Sequence, residues 1–239
     1  LAIGYDALGG SIAGGEYNVA IGNYSLDATT SGDANTAIGY NSLTANTTGN
    51  YNTASGYHAL ASNTTGSRNT ASGNYALTSN TTGVDNTASG YHALYSNTEG
   101  NYNTASGRAA LYYNTTGSNN TTSGYYALVS NTTGVDNTAS GFKALYANTT
   151  GERNLAIGYQ TLDAADTEDD NLAIGYDALG GAIAGGEFNV AIGNYSLDAT
   201  TSGDNNTATG YDALTGTTTG ADNTALGYDA GDVITTGSQ

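Results

Sequence analysis

NTASGYHALASNTTGSR, running from Asn52 to Arg68, is the unit from which the chain is assembled. NTASGNYALTSNTTGVD follows it directly, and NTASGYHALYSNTEGNY follows that. The Asn that opens each copy stands at 18, 35, 52, 69, 86, 103, 120, 137, 154, 171, 189, 206 and 223. Every step is 17 residues except Asn171 to Asn189, which is 18, with the extra residue in the loop AIAGGEF. Residues 1–17 end an earlier 18-residue copy carrying the matching loop SIAGGEY. Fixed periods of this kind mark solenoids and arrays rather than globular folds.

A longer period lies over the short one. Residues 1–33 recur almost unchanged at 172–204, so a block of ten copies has been duplicated. The duplication implies a longer parent array. The chain opens mid-repeat at Leu1 without an initiator Met or signal peptide, so it is expected to be a fragment of a longer protein.

Position within the copy shows the geometry. The third residue is Ala in twelve of thirteen copies (Thr122 is the exception), the fifth is always Gly, and the ninth is Leu in twelve. A β-prone Thr-Ala-Ile/Ser stretch leads to Gly, then a second short stretch ends on Leu, then comes a polar Asn-Thr-Thr-Gly turn. This predicts two short strands per coil separated by turns, in an all-β solenoid of 17-residue coils. Helix is excluded, because Gly at positions 5 and 15 costs about 1 kcal/mol each relative to Ala. Polar low-complexity chains often stay disordered, but a Leu held in phase across the array argues against that here.

A single coil cannot fold. Burying its one Leu yields roughly 1.5–3 kcal/mol, whereas fixing each backbone residue costs on the order of 1–2 kcal/mol. Stacking supplies the deficit through ladders shared with both neighbours. At ~4.8 Å per strand the array would form a rod of about 65 Å. The expected columns are an Asn amide ladder (Asn52, Asn69, Asn86, Asn103), a Leu core (Leu60, Leu77, Leu94, Leu111) and turn glycines (Gly56, Gly73). An aromatic column at position 6 includes Tyr57, Tyr91, Tyr125 and Tyr159, and is either stacked between coils or exposed as a binding surface.

Positions 2 and 4 switch character together. They are Val or Leu and Ile in the copies at 18, 154, 171 and 189, but Thr and Ser from 52 through 140. So thin a core points to lateral association of chains, with the apolar copies packed and the middle ones wetter.

Composition narrows the function. The chain has 35 Gly and 20 Tyr but no Pro, Cys, Met or Trp. The absence of a Gly-X-Y period excludes collagen, and the absence of Cys removes disulfide and thiol chemistry. A net charge of −17 disfavours nucleic acid and anionic membrane surfaces as partners. No apolar run reaches the roughly 18–20 residues needed to span a bilayer.

The candidate chemistry is thin. His58 and His92, the chain's only histidines, give neither a triad nor a zinc site. Asp212 and Asp229 would stack on adjacent coils, a spacing that invites comparison with glycosidase carboxylates, although exposed stacked carboxylates are usually solvated. Asp85, Asp136, Asp170 and Asp222 at position 17 form a weak calcium candidate beside Asp33, Asp169 and Asp204 at position 16. Turn preference explains the same residues. Asn46, Asn63, Asn80, Asn114, Asn131 and Asn148 each open an Asn-Thr-Thr acceptor pattern for N-glycosylation. The Thr array at position 2 (Thr36, Thr53, Thr70, Thr87, Thr104, Thr121, Thr138) would suit ice binding if it faces solvent rather than a partner.

The runs NVAIGNYS, NTAIGYNS and NLAIGYDA resemble the NSVAIG-type repeats of trimeric autotransporter adhesin heads. They also resemble the Asn-Thr-Ala-Ile-Gly-Tyr arrays of phage tail fibres. The likeness covers essentially the whole chain. It implies a left-handed parallel β-roll packed as a trimer, in an extracellular fibre at a cell or virion surface, and specifies architecture more than ligand; the tyrosine column is what would meet a host surface or glycan. Two departures stand out: the coils are longer than those of the family, and Ser55, Ser72, Ser89 and Ser106 occupy the Ile position. The sequence thus points to a non-enzymatic adhesin head or fibre segment. A monomeric or polymerised solenoid, serving as matrix filament or ice-binding module, is the alternative.

Overall fold

The computed structural model describes residues 1–10, 14–181 and 185–232. Residues 11–13 and 182–184, within the two loops that lengthen a coil, lie outside the described residues. The chain divides into two compact units, Leu1–Asn120 and Thr121–Gln239. The first holds β1 (Ala2–Ile3), β2 (Val19–Ile21), β3 (Thr36–Ile38), β4 (Thr53–Ser55), β5 (Thr70–Ser72), β6 (Thr87–Ser89) and β7 (Thr104–Ser106). The second holds β8 (Thr121–Ser123), β9 (Thr138–Ser140), β10 (Leu155–Ile157), β11 (Leu172–Ile174), β12 (Val190–Ile192), β13 (Thr207–Thr209) and β14 (Thr224–Leu226).

Within each unit consecutive strands pair in parallel, with register advancing by one whole coil. Thr53, Ala54 and Ser55 lie opposite Thr70, Ala71 and Ser72, and Leu155, Ala156 and Ile157 lie opposite Leu172, Ala173 and Ile174. Each unit is therefore an all-β parallel solenoid. Every strand from β2 onward begins one residue after a coil-opening Asn. The middle Ala points inward and is buried, from Ala20 to Ala225, while positions 2 and 4 point out.

One strand forms per coil where two were expected. The reason lies in the sign of φ. The second stretch carries left-handed residues at positions 7 and 9, and position 17 adds a third: in one coil His58 (φ 53°), Leu60 (φ 54°) and Arg68 (φ 58°). A left-handed L-residue costs roughly 1–2 kcal/mol, and an extended strand cannot contain it. These residues still bond between coils. The His58 N–H donates to the Tyr40 carbonyl at 3.0 Å, Leu60 to Ala76 at 3.0 Å and Arg68 to Asn50 at 2.9 Å. Positions 7 and 17 thus reach the preceding coil and position 9 the following one.

Twelve leucines are fully buried, six in each unit, and form the expected column within each, with Leu60, Leu77, Leu94 and Leu111 in the first. Burying each gives roughly 1.5–3 kcal/mol, of which the left-handed backbone cancels about 1–2 kcal/mol. Leu therefore locates the core without supplying most of its stability. Position 5 has a different constraint. Gly56 has φ 144°, and a Cβ there would lie 2.6 Å from the carbonyl carbon of Gly73, itself at φ 135°.

The left-handed positions yield an inverted substitution. Ala34 is half-buried at φ 54°. Gly adds about 0.5–1 kcal/mol of unfolded-chain entropy cost but removes about 1–2 kcal/mol of strain. Ala34→Gly should stabilise the fold by about 0.5–1 kcal/mol in denaturant unfolding. A loss of stability would refute the assigned backbone.

Candidate functional site

The coil-opening asparagines form a ladder, though not the stack of amides on amides expected from sequence. The Nδ2 of Asn52 donates to the Gly66 carbonyl of its own coil at 2.8 Å, while its Oδ1 accepts the backbone N–H of Asn69 at 3.0 Å. Asn69, Asn86 and Asn103 repeat this on Gly83, Gly100 and Gly117, each at 2.8 Å. One side chain thus closes its coil and starts the next. A direct amide contact, such as Asn86 Nδ2 to Asn69 Oδ1 at 3.2 Å, is secondary.

The amide-on-amide ladder runs instead through position 12. Asn63 Nδ2 donates to Asn46 Oδ1 at 2.9 Å, then Asn80 to Asn63, Asn97 to Asn80 and Asn114 to Asn97 at 2.8 Å each. The other Nδ2 hydrogen goes to the Gly three residues on, as from Asn80 to Gly83 at 3.0 Å. All of them except Asn97, which is followed by Thr98 and Glu99, belong to the glycosylation pattern. They are fully buried with Nδ2, the atom a glycan would need, committed to the fold. The following Thr adds a parallel row, Thr64 Oγ1 donating to the Thr81 carbonyl and Thr81 to Thr98 at 3.0 Å.

Where this ladder stops, the sequence compensates. Asn148 Oδ1 is buried without a donor, and the next coil has Ala165 at position 12. That coil also has Glu168 where Gly is the rule. A Cβ at the usual Gly would strike both the position-12 amide and the carbonyl of the next coil, as Gly83 would meet Asn80 and Gly100. Ala165 removes the first of these obstacles. The buried Glu168 carboxylate accepts the N–H groups of Asp166 at 2.7 Å, Thr167 at 3.0 Å and Gly185 at 2.9 Å.

The acidic turns resolve into structural roles. Position-16 carboxylates accept a backbone N–H from the preceding coil: Asp33 from Glu16 and Asp169 from Glu152 at 2.7 Å, and Asp204 from Glu187 at 2.9 Å. Of the calcium candidates, Asp85 is bridged twice by Arg68 at 2.6 and 2.7 Å, and Asp170 twice by Arg153 at 2.7 and 2.8 Å. These hydrogen bonds hold both carboxyls below their ordinary pKa. Asp136 and Asp222 occupy left-handed turn positions at φ 60° and 61°. Among the described residues no group of three His, Cys, Asp or Glu side chains is placed to hold a metal ion. The Asp212 carboxyl is pushed upward, by desolvation first and then by Asp229 and Asp232. Those residues form a like-charged edge.

The aromatic column forms an exposed seam within each unit, with Arg108 replacing the aromatic at position 6 of its coil. Tyr57 stacks on Tyr40 at 5.5 Å between ring centroids and Tyr125 on Phe142 at 5.6 Å, while Tyr159 lies between Phe142 at 4.9 Å and Tyr176 at 5.1 Å. Tyr91 stacks on His92 at 4.0 Å, with the Arg108 guanidinium 5.7 Å from its centroid. His58 lies in the same seam beside Tyr57 and Tyr75. Stacked contacts alternate with edge-on ones, such as Tyr57 on Tyr75 at 74° and Tyr176 on Tyr195 at 63° between ring planes. Rings stack between coils, and Tyr57, Tyr91, Tyr125 and Tyr159 are also exposed by 37–48%.

Compared with known proteins, the chain matches no family model, no curated protein and no solved structure.

The buried ladder and the outer face should respond differently to truncation. Asn80→Ala strands the Asn63 acceptor and should cost about 1–3 kcal/mol, whereas Thr53→Ala on the exposed face should stay within about 0.5 kcal/mol. Urea unfolding of both variants measures this, and equal effects would contradict the ladder.

Proposed function

We propose that this chain is a non-enzymatic segment of an extracellular fibre or adhesin, working as a repetitive scaffold that associates laterally with copies of itself. The observation that carries the reading is the outer face of the sheet. Ile3, Ile38, Ile157 and Ile192 are between 38% and 56% exposed there, beside half-buried Val19, Leu155 and Leu172. Parallel sheets are ordinarily covered on both faces, so apolar rows left open on the coils at both ends of the sequence favour a chain-to-chain contact. A trimer of left-handed rolls is the form implied by the likeness to adhesin heads and phage fibres. Partner recognition would fall to the exposed tyrosines of the aromatic seam, which offer a host surface or glycan an apolar ring with a polar tip.

A second reading rests on the middle of the same face. Thr53, Thr70 and Thr87 with Ser55, Ser72 and Ser89 are exposed in coil register, and among the described residues their hydroxyls make no hydrogen bond. That uncharged hydroxyl lattice suits ordered water, as in an ice-binding module.

Light-scattering mass in solution separates the two. The fibre reading expects a trimer that Ile157→Asp with Ile192→Asp dissociates without unfolding, because both side chains point outward. A monomeric wild type would overturn it, and thermal hysteresis in ice would then support the second reading.

A further inference from the structure

The chain holds 20 Tyr and neither Cys, Met nor Trp. The side chains that ordinarily absorb oxidising equivalents in proteins are therefore missing, and phenols are left as the principal target. The fold then places some of these phenols in matched pairs. Tyr95 and Tyr112 lie 5.0 Å apart between centroids with ring planes 8° from parallel. Tyr40 and Tyr57 (5.5 Å, 11°), Tyr159 and Tyr176 (5.1 Å, 2°) and Tyr211 and Tyr228 (5.5 Å, 8°) repeat the arrangement. Other neighbours are as close but edge-on, such as Tyr57 and Tyr75 at 5.2 Å and 74°.

Stacking in coil register matters chemically. Rings from the same position of adjacent coils, near-parallel and 5.0–5.5 Å apart, lie face to face, the approach that lets the carbon ortho to one hydroxyl meet the ortho carbon of the next. An edge-on pair offers no such match. Phe142, stacked between Tyr125 and Tyr159, interrupts the seam because it lacks a phenol to oxidise.

We propose that the stacked tyrosines of adjacent coils are dityrosine cross-linking sites, closed by a one-electron oxidant such as a haem peroxidase supplied with hydrogen peroxide. Each phenol gives up one electron and one proton. The two phenoxyl radicals join through an ortho carbon of each ring, and the two ortho hydrogens move to the oxygens to restore both phenols. In all, two electrons and two protons leave the pair, reducing one hydrogen peroxide to two waters. The product is a covalent staple between coils that otherwise share only hydrogen bonds and packing. It requires one folded chain and is independent of whether chains associate.

Trypsin makes the outcome readable, since the chain's four basic residues are Arg68, Arg108, Lys143 and Arg153. The full-length folded chain is treated at high dilution with peroxidase and hydrogen peroxide, digested and mapped by mass. Peptide 69–108 should appear joined to 109–143 through Tyr95 and Tyr112, two hydrogen atoms lighter than their sum. Peptide 1–68 should lose two hydrogen atoms through Tyr40 and Tyr57. Tyr112→Phe, and independently Tyr95→Phe, should abolish the joined peptide while leaving the change in 1–68. The proposal is overturned if no dityrosine forms, if it forms only between chains, or if 1–68 joins 69–108 through edge-on Tyr57 and Tyr75 as readily as the stacked pair reacts.

Discussion

The side-chain amide of the coil-opening asparagine is the interaction on which the solenoid turns. Its Nδ2 ties position 1 to the Gly carbonyl near the end of the same coil, and its Oδ1 takes the first N–H of the next. A chain with so little apolar bulk cannot rely on a thick core to fix its path. Coil closure and coil-to-coil register are both assigned to one buried polar group. Burying that group unbonded would cost several kcal/mol on some scales, so a coil that loses register loses the satisfaction of the amide as well.

This explains why strain is tolerated elsewhere. Three left-handed L-residues per coil are a steady expense, yet each sits where the backbone must hand an N–H to a particular neighbouring coil. The Leu column offsets part of that cost, and the amide and hydroxyl ladders of the Asn-Thr-Thr-Gly turn supply further contacts. Stability is then a property of neighbouring coils rather than of any one coil, as expected for a quasi-one-dimensional array.

Much of this could be read from the sequence because a fixed period exposes geometry directly. The Leu column, the inward Ala, the obligatory Gly at position 5 and the common facing of positions 2 and 4 all follow from phase. What phase does not reveal is the sign of φ. Leu60 and its equivalents look like strand residues by type, and only the backbone shows them to be left-handed. The Asn-Thr-Thr turns were ambiguous for a similar reason, since turn, glycan acceptor and buried ladder all ask for the same residues. A signal was present: Ala165 and Glu168 depart from the rule together in one coil, at positions where an amide and a Cβ would otherwise meet. The outward facing of positions 2 and 4 was legible as composition, in their joint switch from Val/Leu and Ile to Thr and Ser.

The functional reading follows from the same economy. A fold that spends its buried polar groups on holding coils in register is built for repetition, and its outward surfaces, an apolar-to-hydroxyl sheet face and a tyrosine seam, are what remain for contact. Hydrogen exchange of the asparagine side-chain amides, followed by NMR, tests the buried ladder directly. The Nδ2 protons of Asn52, Asn63, Asn80 and Asn97 should exchange as slowly as the backbone amides of the strands beside them. Exchange at the rate of a solvent-exposed carboxamide would show that the coils are held together by something else.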